Sequence, residues 1–372
     1  MGAMAVPDAA SRLEISLDNV VFTEATPEQR ELSWRLNGVS WASPLSIDEY
    51  VGRETALSQT TLSGNGGTRY FILHHKNDHN AILSACEVTR KEVLVADATG
   101  TRILEGYAIA SVFTAPEYRG HGLARHLLIK VREAVDETAE FGALYSDIGR
   151  SFYTKLGWKD FSSQQVVFQL DKAFKSTQSA ETVALKDSDV ETLCERDVAA
   201  LRQKFEHFPD IKDGKTHVAF LPSYTQFAWQ FTRDSFFAKA LRGIDKVEHR
   251  GARTIDGKSW IIWDHDLREP KLKIMRIVVD ENQTREERMV SAKVLLHAAL
   301  AEASAWKLPK VGVWSPAKDV CAAAMEIWQD VGSNVGLVFE SRDADSIPSL
   351  RVKGNQDVGE IVWEENEYYA WC

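Results

Sequence analysis

No apolar run in this sequence approaches the roughly 20 residues that a membrane-crossing helix needs. No basic-then-apolar leader opens it either, and residues 1–12, MGAMAVPDAASR, are expected to be a cloning remnant and loose tail. Cysteine is scarce. Cys86, Cys194, Cys321 and Cys372 stand far apart with no C-x-x-C pair, which argues against a metal site and for a reducing, cytoplasmic setting. A basic block is missing as well, since 44 basic residues face 54 acidic ones for a net charge of −10. Nucleic acid is therefore not an expected partner, and neither is a membrane, whereas a cationic small molecule would be weakly drawn in. What remains is an ordinary globular composition in 372 residues, a length that suits two domains. Oligomeric state is left open.

The most informative stretch is residues 105–137, EGYAIASVFTAPEYRGHGLARHLLIKVREAVDE. It predicts an apolar strand over 107–113, a turn at Pro116, the loop Arg119-Gly120-His121-Gly122-Leu123-Ala124, and a long helix. Leu123, Leu127, Val131 and Val135 recur every four residues and mark that helix's buried stripe. A strand feeding a glycine-bearing helix start suits an anion. The first helical N–H groups have no intrahelical partner, and glycine lets a phosphate approach them. The loop has neither the Gly-Lys-Ser/Thr of a P-loop nor the G-x-G-x-x-G spacing of a dinucleotide fold. It fits R/Q-x-x-G-x-G/A, with Arg119, Gly122 and Ala124 at the defining positions.

Around this stretch the pattern predicts a strand at 20–22, a helix capped by Thr26 with Pro27 next, and a helix opened by the Ser46–Glu49 capping box. Strands follow near 70–74, 81–89 and 91–95. After the long helix come a strand at 143–147, a short helix at 151–156 and a strand at 166–170. Residues 172–181 read as a polar linker between a catalytic domain over 13–171 and a second domain over 182–372. The second half repeats the pattern, with strands near 259–263 and 273–279, a helix at 286–306, a strand at 310–314, a helix at 320–330, and strands at 335–340 and 360–363. Its loop Asn282-Gln283-Thr284-Arg285-Glu286-Glu287-Arg288 has no glycine and two glutamates, which disfavours a diphosphate.

With V-F-T-A-P-E-Y before the loop and S-F-Y-T-K-L-G-W after it, residues 13–170 resemble the GCN5-related N-acetyltransferase (GNAT) superfamily. The resemblance implies an α/β (α+β) GNAT fold, a mixed central sheet flanked by helices, with a second, degenerate GNAT-like domain after it. It also implies acetyl-CoA as co-substrate and no metal. Loop residues Arg119, Gly120, His121, Gly122, Leu123, Ala124 and Arg125 would hold the diphosphate, and the backbone of Val112, Phe113 and Thr114 would pair with pantetheine and polarise the thioester. Tyr153, in F-Y-T-K-L-G-W, stands where the family's thiolate-protonating tyrosine falls. Glu105 is the candidate base, since a lysine amine titrating near ~10.4 must lose a proton before it attacks. Its match to the family is off by one residue, and Glu87, Asp147 or water chains are the alternatives. Ser146 and Asp147, in Leu144-Tyr145-Ser146-Asp147-Ile148-Gly149, are assigned to the substrate side.

Along most of its length the chain resembles fungal lysine N6-acetyltransferases. That implies transfer to the side-chain amine of free lysine, with the second domain walling the pocket. Another amino-bearing metabolite or toxin, a protein lysine, or a non-catalytic coenzyme A module are the other readings. The aromatics Tyr224, Phe227, Trp229, Phe231, Phe236 and Phe237 are expected in a core. Residues 364–372 read either as a frayed last strand or as a tail over the amine entrance.

Overall fold

Two sheets of one design, each assembled from both halves of the chain, carry the fold. The computed structural model describes residues 15–176, 180–355 and 360–371, so the expected tail over 1–12, the linker residues 177–179 and Cys372 lie outside the described residues. The first half contributes β1 (Val20–Glu24), α1 (Pro27–Trp41), α2 (Ile47–Ser58), β2 (Thr68–His75), β3 (Asp78–Asp97), β4 (Gly100–Thr114), α3 (Leu123–Val135), β5 (Phe141–Ser146), α4 (Ser151–Thr154), β6 (Lys159–Asp160) and β7 (Gln164–Leu170). Then come β8 (Thr182–Leu185), α5 (Asp187–Glu206), α6 (Phe208–Ile211), β9 (Lys215–Phe220), α7 (Tyr224–Arg242), β10 (Gly251–Thr254), β11 (Trp260–Asp266) and β12 (Lys271–Val278). The chain continues through α8 (Arg285–Ala305), β13 (Lys310–Trp314), α9 (Lys318–Val331), β14 (Val335–Ser341), β15 (Ile347–Val352) and β16 (Glu360–Trp363).

Local sequence explains the helix starts. Thr26 with Gln29, and Ser46 with Glu49, close reciprocal capping boxes that satisfy otherwise orphaned N–H groups of α1 and α2. Helix α3 buries Leu123, Leu127, Leu128, Val131 and Val135 against the first sheet.

The first sheet runs β1-β2-β3-β4-β5-β15-β6, and the second β8-β10-β11-β12-β13-β7-β14. Position by position these seven-strand runs match, down to one parallel pair in each run, β4 with β5 and β12 with β13. The expected mixed-sheet architecture with a second domain of the same kind is therefore present. The sixth position is exchanged. Strand β7, expected to close the first sheet, lies between β13 and β14 in the second, and β15 from the second half takes its place beside β5. A cut at 172–181 does not divide the sheets. Strand β3 is long enough to pair β2 along its first part and β9 along its last, and β16, expected in the second half's sheet, lies parallel to β9 in the first.

Arg351 on the exchanged β15 fastens it in place. Its guanidinium donates to both oxygens of Asp136, just past α3, at 2.6 and 2.5 Å, and to the Tyr107 hydroxyl on β4 at 3.2 Å. A shared core of Val93, Phe141, Phe220, Trp260, Trp363 and Tyr369 joins the two sheets.

Candidate active site

The centre of the first sheet opens at β4. Strand β4 pairs with β5 only from Gly106 to Ile109, so beyond Ile109 the two strands part. On its other side β3 matches Glu87 to Ala110 and Ala85 to Phe113, which leaves β4 one residue longer between those pairs. The extra residue is a bulge in which Ser111 takes the left-handed φ of +53°. Residues 110–114, which include the expected Val112, Phe113 and Thr114, thus present backbone to the opening on the β5 side. The Phe113 side chain is buried, so only its main chain is available there.

The loop follows directly. Gly120 and Gly122 have φ of +84° and +75°, values that carry little penalty only for glycine, and a Cβ at either would meet nothing within 4 Å. Gly122 caps α3 without any side-chain hydrogen bond, and no acid stands in the first turn. The leading amides are therefore free for an anion. Arg119 reaches back instead, donating to the Thr114 carbonyl at 3.1 Å with its guanidinium over the Phe113 ring. His121 and Arg125 are exposed, Ala124 is half-buried, and Leu123 is buried, so it offers its N–H alone.

The second sheet shows the opposite at both places. Thr284 and Glu287 cap α8 reciprocally, with Glu287 taking the Thr284 N–H at 2.8 Å. The gap beyond the β12–β13 pairing, which ends at Ile274, is filled by the chain itself. Glu367 accepts the Ile277 N–H at 3.0 Å, and Tyr368 packs 4.4 Å from the Trp314 ring. The C-terminal segment is thus neither a strand nor frayed. Its acids Glu365 and Glu367 are bound to Arg276, and Tyr368 and Trp371 reach a pocket.

That pocket, about 320 Å³, abuts the opening of β4, where Ile109, Ala110 and Ser111 form part of its wall. Six acidic and six basic side chains line it, a balance suited to a ligand carrying both charges. Glu87 is among them, half-buried, with the Trp34 indole N–H 3.3 Å from its carboxylate. Burial, aided by the charge of Glu54, pushes its pKa up to about 8. Asp147 also lines the pocket, accepts the Ser346 N–H at 2.8 Å, and is raised chiefly by burial.

The other expected residues are placed differently. Glu105 pairs with Arg90 at 2.9 Å and does not line the pocket. It sits opposite Glu92, at the far end of the β4–β5 contact. Ser146 is buried, donates to the Gly149 carbonyl at 2.6 Å, and does not line the cavity. Tyr153 lies in the core under α3, its ring edge-on to Phe152 and Trp158. Burial raises its hydroxyl pKa, with smaller contributions from Cys86 and Asp147, which flank the open end of β4. Among the α7 aromatics Phe227, Phe231 and Phe237 are core, as expected, whereas Trp229 lines the pocket. Sequence reasoning expected the second half to wall the pocket but singled out none of Arg233, Asp266, Lys273 and Arg342. One signal did exist for Glu87, a lone acid inside the apolar run AILSACEVT.

Among the described residues no helix is long and apolar enough to cross a membrane, and no group of three His, Cys, Asp or Glu side chains could hold a metal ion.

The chain is 23% identical over 313 residues to a lysine acetyltransferase of Yarrowia lipolytica, covering 72% of this chain and 78% of that protein. It is 21% identical to an uncharacterized protein of Saccharomyces cerevisiae, covering 95% and 98%. In fold it is similar to a GCN5-related N-acetyltransferase from Anabaena variabilis (TM-score 0.52, 14% identity, 90% of this chain and 73% of that one). A second similar fold is that of Saccharomyces cerevisiae N-myristoyltransferase, solved with bound myristoyl-CoA (TM-score 0.56, 8% identity, 94% and 84%). A family model described as acetyltransferase (GNAT) domain matches residues 78–160, and one described as LYC1 GNAT-like C-terminal domain matches residues 166–372. Because the latter spans more than half of the chain, this protein belongs to the LYC1-like GNAT family and is an acyltransferase enzyme.

Proposed function

We propose that the protein moves the acetyl group of acetyl-CoA to the side-chain amine of free lysine, by direct attack in a ternary complex. The observation that carries this reading is the meeting of two features at Ala110–Ser111: the unpaired edge of β4, and a mixed-charge pocket holding Glu87. The diphosphate would rest on the amides of Gly120 to Ala124, and the pantetheine arm would run along Val112 to Thr114 as a surrogate strand. Coenzyme A supplies the activated acyl group; the protein supplies position and proton transfer.

Glu87, rather than Glu105, takes the amine proton. A base with a pKa of about 8 is roughly one-tenth deprotonated at pH 7 and stronger than an ordinary carboxylate. The freed amine nitrogen attacks the thioester carbonyl carbon, the carbon–sulfur bond breaks, and the departing thiolate takes a proton. Tyr153, kept protonated by burial, is the donor. In this reading the first sheet holds the donor, the second half walls the acceptor, and Asp147 helps to hold the amine. The second half binds no coenzyme A of its own, because its helix start is capped and its cleft filled.

Thiol release from acetyl-CoA, measured across free lysine, ornithine, polyamines, amino sugars and histone peptides, tests the reading. Lysine should be the best acceptor. Turnover confined to peptides or to another amine would overturn it.

A further inference from the structure

Among the described residues, two buried arginines of the acceptor pocket make no direct ion pair; Arg268, the third without one, is only half-buried. Arg233, on α7, is 7% exposed, and among the described residues it makes neither a hydrogen bond nor an ion pair; its guanidinium lies 5.4 Å from the Phe237 ring and 5.7 Å from that of Trp371. Arg342, just past β14, is 4% exposed and stacks 3.6 Å over Trp314. Its Nε and Nη2 donate weakly to the Ser346 carbonyl at 3.4 and 3.3 Å, and its Nη1 is buried without a partner. Other cations of the same pocket are paired: Arg53 with Glu54, Lys271 with Glu269 and Lys273 with Asp266.

Burial works against the Arg233 charge, but Asp266, Tyr368, Asp264 and Glu54 outweigh it, so what this guanidinium lacks is a directly bonded acceptor, and a buried donor without one is unfavourable unless a ligand supplies it. Burial even pulls Arg342 down to about 10. Trp314 under Arg342 and Trp371 under Arg233 pack on the Tyr368 ring at 4.4 and 5.5 Å, which puts Tyr368 between the two arginines. The Tyr368 hydroxyl accepts from the Lys273 ammonium at 2.5 Å, which leaves its own proton to donate. Two planar forks and one hydroxyl donor are the groups that suit a carboxylate. Glu54, Glu87 and Asp147 supply the negative side of the same cavity, where an amine belongs.

We propose that Arg233 and Arg342, with the Tyr368 hydroxyl, bind the carboxylate of an amino-acid acceptor, so that the site selects amino acids with a side-chain amine over plain diamines. This rests on the acceptor-site reading above and names the residues that give it specificity.

Calorimetry on the full chain separates the two. The probes are lysine, norleucine (carboxylate but no side-chain amine) and 1,5-diaminopentane (amines but no carboxylate). Lysine and norleucine should bind at least ~10-fold tighter than the diamine. Arg233→Met and Arg342→Met should each weaken both by ~10-fold or more, leave the diamine unchanged, and keep acetyl-CoA affinity, which reports an intact fold. Arg342→Lys, which retains charge without the fork, should fall between. Equal binding of lysine and the diamine by the wild type, or arginine variants with unchanged lysine affinity, would overturn the anchor while leaving lysine acetylation standing. Arginine-dependent norleucine binding without any acetylation of lysine would keep the anchor and remove the amine-transfer reading.

Discussion

Glu87 on β3 stands opposite Ala110 on β4, one residue before the left-handed Ser111 of the bulge and one past the last β4–β5 pair at Ile109. The carboxylate is thereby held at the seam between the unpaired strand edge and the mixed-charge pocket. Glu105, on β4 itself, lies at the other end of the strand in an ion pair with Arg90.

Glu87→Gln should lower kcat by about 10²–10⁴, the usual range for losing a general base, with acetyl-CoA affinity unchanged. Glu105→Gln should stay within about twofold of wild type, because its exposed pair with Arg90 contributes little. Tyr153→Phe keeps the ring contacts with Phe152 and Trp158 and should lower kcat while leaving acetyl-CoA binding intact. Steady-state thiol release and calorimetry check all three.

The raised pKa of Glu87 predicts two opposite pH effects. As a base it works deprotonated, so kcat/KM should climb with pH toward about 8, and Glu87→Gln should flatten that limb. For stability the sign reverses. The fold favours the protonated acid, a contribution fully present below the unfolded value of about 4.3 and lost as pH rises through about 8. Glu87→Gln should therefore melt higher than wild type in alkaline buffer, and the gap should close in acid. Melting curves across pH read this directly.

Gly122→Glu should abolish acetyl-CoA binding. It sets a negative charge on the free amides of α3 and imposes a side chain at a φ of +75°, a strain of about 1–2 kcal/mol. The space around Gly122 is open, so the fold should survive with a modestly lower Tm. The counterpart Thr284→Gly opens the cap of α8 and should leave acetyl-CoA affinity unchanged.

Arg351→Met tests the strand exchange. It leaves Asp136 without its cation and the Tyr107 hydroxyl without its donor. The loss should be about 2 kcal/mol, below the range for a fully buried pair because Asp136 keeps some solvent contact. Denaturant unfolding measures it.

The glycine loop and helix start of the proposed donor side were legible because their pattern is local. Gly120, Gly122 and the stripe of Leu123, Leu127 and Val131 lie within a few residues, and the capping boxes at Thr26 and Ser46 are likewise written in four-residue windows. The proposed acceptor side was legible only in part: Asp147 and the alternative Glu87 were named, but Arg233, Arg342 and Tyr368 join them only after both sheets assemble. The exchange of β7 and β15 leaves no local trace either. Val166 and Phe168 alternate as any strand would, and pairing partners are set by tertiary fit. Glu105 was chosen by its distance from Arg119 along one strand, whereas the acid facing the pocket comes from the strand beside it.

The most direct measurement is to incubate the purified protein with acetyl-CoA and free lysine and to locate the acetyl group by tandem mass spectrometry. The account predicts a single product acetylated on the side-chain nitrogen, formed at a rate that Glu87→Gln suppresses and Glu105→Gln does not. Acetylation at the α-nitrogen, or an unmodified lysine beside a protein that still binds acetyl-CoA, would contradict it.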